Sequence, residues 1–275
     1  MSGVRLLQSC DIAAAMELSR EAGWNQTESD WRRILDLEPE GCFALDREGV
    51  LAGTTTAVCY GKEMAWIGMV LTRSEFRRRG FARQLMERAL AFSRERGVTI
   101  VRLDATPMGR PLYASLGFEE ECPIERWRRS GDNVDSRDGP AVTAYQPMPG
   151  LDREAFGCDR SRLLESLAEI EAASIPGLGY AMGRPGTRAA YFGPCVAGTP
   201  ETARMLLEWF LERHRGESIC WDLLPENHAA VALATEFGFV RDRSLIRMIR
   251  RERPHAASSG VNSALTYAIA GFEYG

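Results

Sequence analysis

The chain has 275 residues, 45% of them hydrophobic and 26% charged, with a formal net charge of −4. That length can bury one large core or two ordinary ones, and the composition is that of a globular protein. The charge excludes a general pull toward nucleic acid or anionic membrane, and no run of about 18 apolar residues offers a spanning helix.

Asp11 and Glu17 arrive too early for a signal peptide. Seven cysteines without a Cys-x-x-Cys pair, and three scattered histidines (His214, His228, His255), suggest neither a disulfide framework nor a metal-ligand set. The expectation is a reduced, cytoplasmic, metal-free protein.

In chain order, helices are expected over 11–22 and about 27–37, then strands at about 42–47, 50–60 and 64–72. The most informative stretch is Trp66 to Ala82, WIGMVLTRSEFRRRGFA. An apolar run ends in a polar turn, and an Arg-rich segment closes on Gly80-Phe81-Ala82 before a long amphipathic helix. Small residues at 80 and 82 let backbone N–H groups approach a ligand, and the positive helix end adds field. Arg77, Arg78 and Arg79 add charge and bidentate donors, a combination that suits a pyrophosphate. The loop is neither a Walker loop nor a dinucleotide fingerprint.

Residues 83–96 place Leu85, Met86, Ala89, Leu90 and Phe92 on one apolar stripe, and Gly97 closes the helix. Residues 99–106 read as a buried strand. Leu112-Tyr113-x-x-Leu116-Gly117-Phe118 follows, and Pro123–Trp127 would be a last strand. Residues 129–150, rich in Gly, Pro, Asp and Ser, read as a linker. Beyond it, Asp159 or Ser161 caps a helix with Leu163, Leu164, Leu167 and Ile170 on its apolar face. Strands are expected at 179–182, 188–196 and 219–223, with a helix over 199–213.

Residues 225–239 then repeat 104–118. At a constant offset of 121 residues Gly117-Phe118 falls on Gly238-Phe239, Leu112 on Leu233, Gly109 on Ala230 and Thr106 on Asn227. Tyr113, however, falls on Ala234, and the second half has no Arg-x-x-Gly-x-Gly/Ala loop.

Arg77-x-x-Gly80-x-Ala82 followed by Leu-Tyr-x-x-Leu-Gly-Phe resembles the two signatures of the GNAT N-acetyltransferase superfamily. With Gly23-Trp24-Asn25, Gly193-Pro194 and the closing SALTYAIAGFEYG, the resemblance extends to a bacterial tandem-GNAT subgroup and covers most of the chain. It implies an α/β fold of two tandem domains, each a central, mostly antiparallel sheet flanked by helices. The boundaries would be 1–128 for a catalytic domain, 129–150 for the linker and 151–275 for a degenerate copy.

The resemblance further implies acetyl-CoA as cofactor, with its pyrophosphate on Arg77, Arg78, Arg79, Gly80, Phe81 and Ala82. Its pantetheine arm would pair with the main chain of Val70, Leu71 and Thr72, and Tyr113 would be the acid beside the sulfur. Trp24 and Asn25, between the first two helices, would border the acceptor, where Trp24 serves equally well as a hydrophobic staple. Glu63, Asp104 and Glu119-Glu120-Glu121 are the nearest carboxylates for a base, and only Glu63 is taken forward. The expected activity is acetyl transfer to a primary amine of a small molecule by direct attack in a ternary complex. Alternatives are a protein lysine or N-terminal acetyltransferase and a non-catalytic acyl-CoA sensor. The oligomeric state is unreadable from the sequence.

Overall fold

The computed structural model describes residues 3–131, 142–252 and 261–275. The first half runs β1 (Val4–Leu6), α1 (Ile12–Glu21), α2 (Glu28–Leu37), β2 (Cys42–Arg47), β3 (Val50–Tyr60), β4 (Met64–Thr72), α3 (Phe81–Glu95), β5 (Ile100–Ala105), α4 (Arg110–Ser115) and β6 (Glu119–Arg129). The second runs β7 (Thr143–Ala144), α5 (Pro149–Phe156), α6 (Ser161–Ala168), β8 (Glu171–Ile175), β9 (Gly179–Arg184), β10 (Ala190–Ala197), α7 (Pro200–Arg213), β11 (Ile219–Leu223), α8 (His228–Glu236), β12 (Val240–Arg251) and β13 (Thr266–Ala268).

Local chemistry sets the ends of these elements. Thr27 opens α2 with a capping box: its hydroxyl accepts from the Asp30 N–H, while Asp30 accepts from the Thr27 N–H at 2.8 Å. Asp159 accepts from the Ser161 N–H at 2.9 Å ahead of α6. Ile170 does not join the apolar face of α6, because the helix stops at Ala168 and Ile170 lies exposed in the turn after it. Within 129–150, residues 132–141 lie outside the described residues. Thr143 and Ala144 pair with β8, and Pro149 already starts a helix.

The thirteen strands among the described residues form one sheet, in the order β1-β2-β3-β4-β5-β12-β6-β11-β10-β9-β8-β7, with β13 on β10. The two halves exchange their last long strands. β12 pairs with β5 of the first half, from Ile246↔Ala105 to Arg251↔Ile100. β6 pairs with β11 of the second half, from Ile219↔Arg129 to Leu223↔Glu125. The segment expected to end the first sheet, 123–127, therefore lies between two strands of the second half. Both seams carry a buried ion pair: Asp104–Arg247 at 2.9 Å and Asp222–Arg126 at 2.5 Å. Arg126 and Arg247 stand at the same 121-residue offset as the repeat.

Three large apolar cores cover the sheet among the described residues, beside two small clusters. One lies under α3 and α4 and holds Phe43, Leu85, Leu90, Phe92, Leu103 and Tyr113. A second, on the opposite face, joins α1, α2, α5 and α6 around Trp31, Trp66, Phe156 and Tyr274. The third, around Phe192, Phe210 and Trp221, belongs to the second half. The last residues run from the second half onto β4. The Trp66 indole donates to the Phe272 carbonyl at 2.9 Å, and the Tyr60 hydroxyl to that of Tyr274 at 2.8 Å. A Cβ at Gly68 would meet the Glu273 backbone at 2.9 Å, so only glycine lets the tail lie this close.

Candidate active site

β4 and β5 run parallel, but their pairing stops early: Met64, Ala65 and Trp66 pair with Ile100, Val101 and Arg102, and nothing beyond. From Ile67 to Thr72 the strands part. Part of the cause is a bulge in β4, where Met69 and Val70 together oppose Thr55 of β3. Met69 takes the left-handed backbone, φ 49°, and its carbonyl accepts from the buried Thr54 hydroxyl at 2.8 Å. The parting leaves β4 main-chain groups without a strand neighbour on that side, as an extended ligand arm would need. Val70, Leu71 and Thr72 line this edge.

The loop after β4 turns on two left-handed residues, Arg78 (φ 61°) and Gly80 (φ 80°), before α3 begins at Phe81. Gly80 is the N-cap and no side chain caps the helix, so its first N–H groups face outward. A Cβ at Gly80 would meet nothing within 4 Å, so the loop mouth is open. Arg77 bonds the Thr72 carbonyl at 3.2 Å and lies 3.9 Å from Glu21, while Arg79 rests 5.3 Å over the Phe76 ring. Arg78 has no ion pair or hydrogen bond among the described residues. The open mouth, the uncapped helix and these arginines fit a pyrophosphate.

Tyr113 stands on α4, directly after β5. Its ring is buried and edge-on to Phe118 at 6.2 Å, and its hydroxyl makes no hydrogen bond among the described residues. Burial pushes its pKa well above the ordinary value, so the oxygen holds its proton throughout the working range. Gly109 positions it: a Cβ there would lie 2.7 Å from the Tyr113 ring and 3.1 Å from its hydroxyl.

The other sequence-selected residues have different places. Asn25 is a clamp between the halves. Its amide oxygen accepts the N–H groups of Arg188 (2.9 Å) and Ala189 (3.0 Å), and its nitrogen donates to the Ala189 carbonyl at 2.9 Å, so the buried side chain is engaged by the second half. Trp24 is half-buried against the core that joins α1 and α2 to α5 and α6, its carbonyl accepting from Thr187 at 3.2 Å. Glu63 precedes β4 at the paired end of the β4/β5 fork, roughly 30 Å from Thr72 at about 3.3 Å per residue. It is ion-paired with Arg153 at 2.6 Å, so it does not meet Tyr113. Asp104 is locked to Arg247, Glu121 to Arg102 at 2.6 Å, and Glu119 to Arg251 at 3.3 Å, while Glu120 pairs with Arg110.

The second half repeats the framework without the fittings. Phe118 N–H bonds the Tyr113 carbonyl and Gly117 N–H that of Ala114. At the same offset, Phe239 bonds Ala234 and Gly238 bonds Thr235. Ala230 takes the place of Gly109, which is possible because Ala234 has no ring to displace. β10 and β11 likewise pair for three residues and then part. Here the gap is filled by the chain's own β13, with Cys195↔Ala268 and Val196↔Thr266 paired on β10 across a register shift. On the β11 side, the Trp221 indole donates to the Tyr267 carbonyl and the Ile269 N–H to that of Asp222. No sequence signal disclosed this plug, since β13 is three residues long.

Two copies of a forked-sheet unit, one open beside a phosphate-type loop and one closed, define a tandem acyltransferase architecture. Comparison with known proteins agrees. Residues 12–118 match the Acetyltransferase (GNAT) family and residues 148–261 an Acetyltransferase (GNAT) domain. The chain belongs to the GNAT acetyltransferase family and carries two of its domains in tandem. It is 22% identical over 244 residues to the uncharacterized N-acetyltransferase YitH of Bacillus subtilis, covering 84% of this chain and 85% of that one. In fold it is similar to a putative acetyltransferase from Pyrococcus horikoshii, with TM-score 0.85, 22% identity and coverage of 99% and 95%. It is also similar to a tandem GNAT protein from the clavulanic acid biosynthesis pathway, with TM-score 0.64, 15% identity and coverage of 92% and 99%. No helix among the described residues is long and apolar enough to cross a membrane.

Proposed function

We propose that this protein transfers an acetyl group from acetyl-CoA to a primary amine of a small molecule, by direct attack within a ternary complex in the first half. The observation that carries the reading is the open fork between β4 and β5, flanked by the Gly80 loop on one strand and Tyr113 on the other. When bound there, acetyl-CoA supplies an activated thioester carbonyl. The Gly80–Ala82 N–H groups and Arg77 to Arg79 hold its pyrophosphate, and the free edge of Val70 to Thr72 aligns its arm. Tyr113 keeps a proton on its phenolic oxygen, ready for the departing sulfur. The acceptor approaches from the opposite face of the sheet, where the tail and the second half form the wall.

A small acceptor is favoured over a protein segment because Phe272 to Gly275 and the Asn25 clamp cover that face with main chain. The test is release of free thiol from acetyl-CoA with a library of primary amines, in wild-type protein and Gly80→Glu. Thiol release with at least one amine, lost in the variant, supports the reading. No release with any amine, despite tight acetyl-CoA binding, would turn it toward the sensor reading.

A further inference from the structure

On the face turned away from α3, one arginine of a facing pair makes no ion pair among the described residues. Arg243 of β12 lies directly opposite Arg126 of β6 in the strand register. Arg126 is fully engaged by Asp222, at 2.7 and 2.5 Å. Arg243 has no hydrogen bond or ion pair among the described residues, and its Nε is buried without a partner. Its terminal nitrogens keep some solvent access. The aspartate next to it in sequence, Asp242, is held by Arg128 at 2.8 Å. Among the described residues, the two facing guanidinium groups thus have one carboxylate between them, taken by Arg126, and Arg243 is left as a partly buried cation with no ion pair. Burial and the nearby Arg126 push the pKa of Arg243 down, the direction expected of a cation lacking its partner.

The position is informative. Ile246 pairs with Ala105, the last residue of β5. Arg243, three residues earlier, lies about 10 Å past the end of β5, beyond the mouth of the fork. Leu245 and Arg247 continue the same face opposite Ile124 and Cys122, and Arg247 lies 4.5 Å over the Trp66 ring. Phe272 joins the two places. Its carbonyl is held by Trp66 of β4, while its ring lies 4.7 Å from the Arg126 guanidinium and 5.5 Å from that of Arg243. Phe272, Cys122 and Arg243 are each only partly buried, so this patch borders accessible space.

We infer that Arg243, backed by Arg126 and walled by Phe272, receives a carboxylate on the acceptor, so that the amine substrate is an amino acid or a similar amino-carboxylate. A monoanion matches this single cation. A phosphate dianion would bring a second negative charge against Asp222, which already neutralises Arg126. A charge-assisted bond from a partly buried guanidinium changes affinity by roughly ten- to a hundredfold. The inference rests on the acetyltransferase reading for the meaning of the site, but its test reads binding alone.

The test is thermal melting of the full-length protein with coenzyme A present, against the standard amino acids, β-alanine and 4-aminobutyrate, each beside its own carboxamide. The expected result is a rise in midpoint with at least one free acid, absent with its amide. Arg243→Gln should lose that rise, and Arg243→Lys, which keeps the charge but not the fork, should need about tenfold more ligand. Coenzyme A binding by calorimetry checks that both variants are folded. Absence of any rise in the wild type, equal rises with the amides, or an undiminished rise in Arg243→Gln overturns the inference. Acid-selective binding without acyl transfer would count against the acetyltransferase reading instead. Transfer to amines without acid selectivity would count against this one.

Discussion

Asp104 and Arg247 form a fully buried ion pair at 2.9 Å, although one belongs to β5 of the first half and the other to β12 of the second. Burial pushes the Asp104 carboxyl up, and the attraction of Arg247 offsets only part of that. Such a pair marks the seam without being its main source of stability. Asp104→Ala, which strands a buried guanidinium, is expected to cost roughly 3–5 kcal/mol. The double change Asp104→Leu with Arg247→Met should cost much less. Urea melts of the variants decide, and equal losses would show that the pair itself holds the seam.

The exchanged strands also bear on the folding unit. A fragment ending at residue 131 keeps β6 but loses β12, and so leaves the long edge of β5 unpaired. It is expected to aggregate or to associate through that edge, as light scattering and gel filtration would show. A monomeric, cooperatively melting fragment would mean that β6 can pair directly with β5.

Gly109 and Tyr113 give a test of positioning. Gly109→Ala adds one methyl group that must move the phenol, so turnover should fall roughly ten- to a hundredfold while acetyl-CoA affinity stays within about twofold. Tyr113→Phe should lower turnover by about a hundredfold with the same unchanged affinity. Steady-state kinetics beside calorimetry separates the two quantities. Full activity in Tyr113→Phe would remove the tyrosine from the chemistry.

His214 gives the pH dependence a sign. Burial works against its charge, but the hydrogen bond to Glu171 at 2.7 Å and the attraction of that carboxylate and Glu217 outweigh it, so its pKa is raised above 6.5. Stability from this pair is fully present below about pH 6.5 and is lost as the pH rises through the folded-state value. Glu171 is depressed, its hydrogen bonds and charges from His214 and Arg213 exceeding the cost of burial. Its share is present above pH 4.5 and is lost on acidification. His214→Gln should flatten the decline in melting temperature between pH 6 and 8. An unchanged slope would assign the decline to other groups.

Much of this was legible in the sequence because local chemistry announced it. The Gly80 loop, the apolar stripe of α3 and the 112–118 turn each follow from residues close together in the chain. The repeat at offset 121 exposed the second domain, down to Ala230 replacing Gly109 once Tyr113 became Ala234. The strand exchange was not legible, because β6 and β12 are ordinary strands whose neighbours are chosen by tertiary packing. β13 was missed because three residues carry no periodicity. Asn25 and Glu63 were misplaced for a related reason: the sequence showed polar residues near the expected cleft, and the structure shows Asn25 bonded to the second half and Glu63 at the closed end of the fork.

The central claim is that the first half alone holds acetyl-CoA, in the fork beside Gly80, while β13 closes the second. Calorimetric titration of the full chain with acetyl-CoA, beside Gly80→Glu, tests it most directly. The exposed mouth at Gly80 means the variant should fold, with the left-handed backbone costing about 1 kcal/mol. The account predicts one acetyl-CoA per chain in the wild type and none in the variant. Two equivalents per chain, or one that survives Gly80→Glu, would contradict it.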